Sequence, residues 1–264
     1  MPKRRRNFIN SGLYHIVLRR MGNELLFGNI DDYYRGIFCI YEFNTTKHIT
    51  IRERRAVRAR FKKAIKEIEK TYRGQTPVNI NGAQAKKSVI WEDNRDLLVE
   101  VLAFCLMPNH IHLLVRQLKN GGISKFIQKL ASGYASYFKN KYGIKLKGHF
   151  FQDRFNSVYI KDDEQLRVAF TYIHTNPISL VEPKWKEKGV RDPGKVIKFL
   201  KGYKWSSYPD YIGKKNFPSV TERKFLLEII NGERGCREWV ENWVRYKGKV
   251  REMMKKFKCL SLEK

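Results

Sequence analysis

The chain has 264 residues, room for one substantial core with an appendage, since domains usually run to about 100 to 200 residues. Hydrophobic residues at 42% and charged residues at 30% exclude a disordered tail, and 54 Lys and Arg against 26 Asp and Glu leave a formal charge of +28 that calls for a polyanionic partner without separating DNA from RNA. No run of about 18 apolar residues is present to cross a membrane, and the scattered Cys39, Cys105, Cys236 and Cys259 form no Cys-x-x-Cys pair, so neither a zinc cage nor a disulfide framework is suggested.

The basic start Met1 to Arg6 leads into polar Asn7 and Asn10 rather than an apolar signal core, so the expected location is the cytoplasm with no membrane partner. Leu13 to Leu18 reads as an interior strand, with Tyr14, Ile16 and Leu18 alternating with Leu13, His15 and Val17. A helix follows over 29–41, opened by Asn29 or Asp31 and carrying Tyr33, Tyr34, Ile37, Phe38 and Tyr41 at helical spacing. Residues 44 to 94 read as an insertion: Val57, Phe61, Ala64, Ile65, Ile68 and Tyr72 share one face of a helix, and a loop rich in Gly, Asn and Gln comes after it.

Leu97 to Leu106 and His110 to Val115 are strands joined through Met107, Pro108 and Asn109. Ile123 to Lys139 is an amphipathic helix with Ile123, Phe126, Ile127, Leu130, Tyr134 and Phe138 inward. Gly148 to Ile160 reads as a further strand, and Asp162 or Asp163 opens a helix that Pro177 stops after about Thr175. The core order is thus β-α-β-β-α-β-α. Beyond Leu180 an aromatic stretch from Tyr203 to Tyr211 and helices near 221–231 and 236–258 form an extension, giving a core over 1–180 and a C-terminal helical segment over 181–264.

Two constellations carry chemistry. His110 and His112 are two apart on a strand, so both imidazoles face one side with Cα atoms about 6 to 7 Å apart, close enough to share one divalent cation, while Ile111 turns to the core. Tyr172 and Asn176 are four apart on a helix and stack on one face, offset from the apolar stripe Leu166, Phe170 and Ile173. A phenol next to a metal-polarised phosphate is a competent nucleophile, and the ester it forms conserves the energy of the cleaved bond for rejoining. The bland alternatives are two satisfied strand histidines and a packed helical tyrosine, one of 14 in the chain.

Met107-Pro108-Asn109-His110-Ile111-His112-Leu113-Leu114, Gly148-His149-Phe150-Phe151-Gln152-Asp153-Arg154-Phe155, Tyr172-Ile173-His174-Thr175-Asn176-Pro177 and Trp205-Ser206-Ser207-Tyr208 occur in this order. Together they resemble the single-tyrosine HUH transposases, most closely the REP-associated branch, over roughly residues 8–43 and 95–213. The resemblance implies an α+β, ferredoxin-like antiparallel sheet with helices on one face, histidines on a central strand, and the tyrosine on a helix laid across the sheet. A helical insertion and a helical C-terminal extension are departures from it.

It also implies that His110 and His112 hold Mg²⁺ or Mn²⁺, that Tyr172 attacks phosphorus, and that Asn176 adds a metal contact. The partner would be single-stranded or hairpin DNA, and the chain a monomer or a homodimer. Lys3, Arg4, Arg5, Arg6, Lys145, Lys147 and Arg154 are candidate backbone contacts, and Tyr134, Tyr137 and Phe151 candidate base-stacking residues. Two rival readings are a two-metal carboxylate nuclease, for which Asp153 is the conspicuous strand acid, and a non-catalytic, domesticated hairpin-binding protein.

Overall fold

The computed structural model describes residues 7–71, 93, 95–144, 148–152 and 155–246. Residues 45–96 form one compact unit, and residues 1–44 with 97–264 form another. In chain order the elements are β1 (Leu13–Arg19), α1 (Ile30–Glu42), α2 (Ile51–Thr71), β2 (Val99–Met107), β3 (His110–Gln117), α3 (Gly122–Tyr142), β4 (Asn156–Ile160) and α4 (Asp163–Thr175). Then come α5 (Trp185–Lys188), α6 (Pro193–Gly202), α7 (Tyr208–Tyr211), α8 (Lys224–Ile229) and α9 (Gly232–Arg245).

The larger unit is built on a four-stranded sheet in the order β2-β3-β1-β4, antiparallel throughout. This is the ferredoxin-like α+β order expected from the sequence. Its two crossovers, from β1 to β2 and from β3 to β4, carry α1 and α3, and the right-handed rule puts both helices over the same face. Side chains agree: Gly36 of α1 sits so close to Leu106 that an added Cβ would lie 3.2 Å from its Cδ1, and Leu106 pairs with Ile111 across the β2–β3 ladder. Gly133 of α3 is pressed against the Phe43 ring, where a Cβ would lie 2.1 Å away. A side chain at Gly133 would force the Phe43 ring to move, and one at Gly36 would be tight against Leu106.

Local sequence explains where α1 starts. The Asn29 side chain accepts the Asp32 backbone N–H while the Asp32 carboxylate accepts that of Asn29, a reciprocal cap. Burial would raise the Asp32 pKa, but hydrogen bonds from Lys141, Tyr142 and Tyr137 hold it below the usual carboxylate value. The same carboxylate therefore ties the end of α3 to the start of α1.

The other face is covered by α4 and the C-terminal helices. Ala103, Cys105, Met107 and Leu114 share one apolar cluster with Leu166, Ala169, Phe170 and Ile173 of α4 and with Leu200, Tyr211, Cys236 and Val240 beyond it. Sheet on one side and helices on the other leave α4 buried nearly all round from Gln165 onward.

One expected element is shorter than its sequence reading. Among the described residues of 148–160, Asn156–Ile160 forms a ladder and Phe151 makes a single bridge to Arg20. Phe150 and Phe151 are both buried, and both pack around Tyr134. Strand alternation would have sent these neighbours to opposite faces.

In the smaller unit a helix stands where the sequence placed one, over Ile51–Thr71, while Tyr72 of its expected apolar face lies outside the described residues. The Thr46 N–H donates to the Asp96 carbonyl (2.9 Å) and the Thr46 hydroxyl to the Asp96 carboxylate (2.6 Å), closing the ends of that unit on each other. The glycine-rich loop expected after α2 lies outside the described residues. Among the described residues no helix is long and apolar enough to cross a membrane.

Candidate active site

The site begins at the β2–β3 turn, Pro108-Asn109. The Pro108 carbonyl accepts the N–H groups of Leu26 (2.7 Å) and Phe27 (3.0 Å), and the Asn109 carbonyl accepts that of Arg20 (3.1 Å). The turn is thereby pinned where β3 starts. His110 and His112 follow on the same face of β3, as their spacing predicts, and Ile111 is fully buried on the other.

Both imidazoles are buried, and their Nε2 atoms approach each other to 2.8 Å. The back of each ring is held as well. His110 Nδ1 lies 2.6 Å from Asn109 Oδ1, and His112 Nδ1 lies 3.0 Å from Nε2 of His15 on the neighbouring strand. His15 is fully buried and stacks on His112 with ring centroids 5.3 Å apart.

Helix α4 brings Tyr172 over this cluster. Its ring lies edge-on to His112 (5.9 Å between centroids) and to His15 (5.8 Å). Tyr172 is 1% exposed, as buried as the Leu166, Phe170 and Ile173 stripe, and its ring meets the two imidazoles. From α5, Lys186 reaches back so that its Nζ is 3.5 Å from the Tyr172 hydroxyl and 5.2 Å from the ring centroid.

Asn176 ends α4, its backbone N–H bonded to the Tyr172 carbonyl. Its side chain is buried, and the amide Nδ2 has no hydrogen-bond partner among the described residues. Also among the described residues, no group of three or more His, Cys, Asp or Glu side chains is arranged to hold a metal ion. His110 and His112 bring their Nε2 atoms together, and His15 meets His112 at its Nδ1.

Several expected residues do other work. Lys3, Arg4, Arg5, Arg6, Lys145, Lys147 and Arg154 lie outside the described residues, as does Asp153. Tyr134 and Phe151 are buried in the aromatic core, with the Tyr134 hydroxyl donating to the Leu26 carbonyl (2.6 Å), so neither ring is open to stack a base. Tyr137 is half-buried and donates to the Asp32 carboxylate (2.9 Å).

The Trp205-Ser206-Ser207-Tyr208 string is architectural. Its backbone pairs with the open edge of β2, through Leu106 N–H to the Trp205 carbonyl (2.8 Å) and Ser207 N–H to the Phe104 carbonyl (3.0 Å). The Ser207 hydroxyl meets His174 Nε2 at 2.8 Å, so it ties α4 to that edge. Burial pushes the His174 imidazole down to about 3, which keeps it neutral.

Sequence reasoning missed His15 and Lys186. His15 carried one faint signal, a histidine in an otherwise apolar strand; Lys186 carried none.

The sheet is antiparallel throughout, with two imidazoles on the same face of its central strand β3 and Tyr172 of α4 laid edge-on to one of them. A family model described as "Transposase IS200 like" matches residues 43–176, about half of the chain. The chain belongs to this family of HUH single-tyrosine transposases. The matched span includes His110, His112, Tyr172 and Asn176, and leaves out His15 and Lys186. A solved structure of a REP-associated tyrosine transposase bound to a REP hairpin aligns with a TM-score of 0.40 at 15% identity, covering 85% of this chain and 96% of that one. No curated protein matches the sequence.

Proposed function

We propose that this protein cuts and rejoins single-stranded DNA, presented as a hairpin, through a 5′-phosphotyrosine on Tyr172. The observation that carries the reading is the seating of the Tyr172 ring 5.9 Å from His112 within one chain, above the two strand histidines whose Nε2 atoms lie 2.8 Å apart. In the reaction the Tyr172 oxygen attacks the scissile phosphorus and gives up its proton, the bond from phosphorus to the 3′-oxygen breaks, and that oxygen leaves as a hydroxyl after taking a proton. Attack by a 3′-hydroxyl on the phosphotyrosine reverses the sequence.

Mg²⁺ or Mn²⁺ fits the donors present. Nε2 atoms 2.8 Å apart, each backed by a partner on its own Nδ1, suit two ligands of one cation, and Asn176, one turn after Tyr172, would add its side-chain oxygen while its Nδ2 stays a donor. When bound, such an ion would draw charge from the phosphate oxygens. The Lys186 ammonium would stabilise the Tyr172 phenolate as it forms and as it departs. The +28 charge supplies the general attraction for DNA.

The test is incubation of the purified protein with end-labelled single-stranded hairpin DNA and Mn²⁺, read on a denaturing gel. A covalent adduct is expected with the native protein and none with Tyr172→Phe. An adduct that survives Tyr172→Phe would refute the nucleophile. A protein that retains the hairpin without forming any adduct would be a binder instead.

A further inference from the structure

His15 belongs to no motif and lies outside the matched span, yet it is fully buried against both halves of the site. Resting on the metal reading above, we infer that His15 is a positioning residue that accepts the His112 Nδ1 proton and so lets His112 free its Nε2 for the cation.

The hydrogen bonds are directional. Asn109 Oδ1 can only accept, so His110 carries its proton on Nδ1 and offers a lone pair at Nε2. His112 faces that lone pair with its own Nε2 at 2.8 Å, and two lone pairs cannot face each other at this distance. Without a cation, His112 therefore keeps its proton on Nε2 and donates it to His110. Its Nδ1 then accepts from His15 Nε2–H at 3.0 Å.

With a cation between the two Nε2 atoms, the His112 proton must sit on Nδ1 instead and needs an acceptor there. His15 Nε2 lies 3.0 Å from that nitrogen, and an imidazole can accept there by holding its own proton on Nδ1. Each of the three rings carries one proton before and one after, so the change is a tautomer exchange in His112 and His15 that needs no net uptake or release. A ring at position 15 that could not accept would trap His112 in the form that cannot bind. Outer groups that fix a ligand's tautomer are typically worth about 10- to 100-fold in metal affinity.

The experiment measures Mn²⁺ binding to the full-length protein by calorimetry, with His110→Ala to identify binding at this site. His15→Leu, which keeps bulk and removes the acceptor, is expected to weaken binding about 10- to 100-fold, and His15→Gln, whose side-chain oxygen can accept, to restore it to within about threefold. Equal binding by His15→Leu and native protein overturns the inference, as does equal weakening by both variants. Absence of site-specific Mn²⁺ binding in the native protein overturns the metal reading itself, a result distinct from the other two. Histidine ¹⁵N spectra of the native protein, which depend on no variant folding, should show His112 moving its proton from Nε2 to Nδ1 when Mg²⁺ is added; an unchanged tautomer overturns the inference.

Discussion

On β3, Ile111, Leu113 and Val115 turn to the face covered by α1 and α3, whereas His110, His112 and Leu114 turn to the face covered by α4. Both faces are buried, and one residue of register separates them. The first face is filled with aliphatic and aromatic chains that have no other task. The second gives up part of its apolar contact to hold three imidazoles and a phenol, and is closed by α4 and the helices behind it. Burial alone therefore does not distinguish core from site here; the chemistry of what is buried does.

The comparison can be broken by exchanging losses between the faces. His110→Ala, at the edge of the site, is expected to lower adduct formation more than 100-fold on the scale of a lost metal ligand, while shifting the denaturant midpoint little because the ring neighbours the turn. Leu113→Ala, one face over, should do the opposite: about 2 to 5 kcal/mol of stability lost, with adduct formation retained in whatever fraction stays folded. If Leu113→Ala destroyed activity in fully folded protein, the division of labour would be wrong.

A smaller effect probes the helix that closes the site. The His174 pKa is pushed down to about 3 by burial, below its unfolded value of about 6.5. Between those values the unfolded chain binds a proton that the folded one refuses, so stability is full above about pH 6.5 and falls as the pH drops toward 3. The slope from this group is at most about 1.4 kcal/mol per pH unit. Denaturant titrations at pH 7, 6 and 5 should show a flatter dependence for His174→Gln than for the native protein.

The smallest expected change concerns Lys186. Lys186→Met should slow adduct formation roughly tenfold, less than the loss of a fully buried oxyanion donor because the lysine is exposed. Lys186→Arg should recover most of the rate, and hairpin retention should not change. An equal rate for Lys186→Met would remove the lysine from the chemistry.

Periodicity made the elements legible. The period of two in 110–115 placed both histidines on one side, and the period near 3.6 in 163–175 set Tyr172 apart from the Leu166 stripe. The Phe150-Phe151 pair misled because an aromatic run in an apolar stretch looks like a strand, although two adjacent buried rings cannot both belong to one face of a ladder. Tyr134 and Phe151 looked suited to DNA bases for a similar reason, since an aromatic ring reads the same whether it is to be packed or presented.

The amino-acid sequence by itself determined the α+β order, the strand that carries His110 and His112, the helix that carries Tyr172 and Asn176, and the strong positive charge, because each depends on neighbours within a few residues or on a sum over all of them. Only the tertiary structure decided that His15 backs His112 across 97 residues of chain, that Lys186 reaches Tyr172, and that Ser207 locks His174 to the edge of β2. Those contacts depend on strand order and helix placement, which are settled when the two faces of the sheet are buried together, and no local pattern records them.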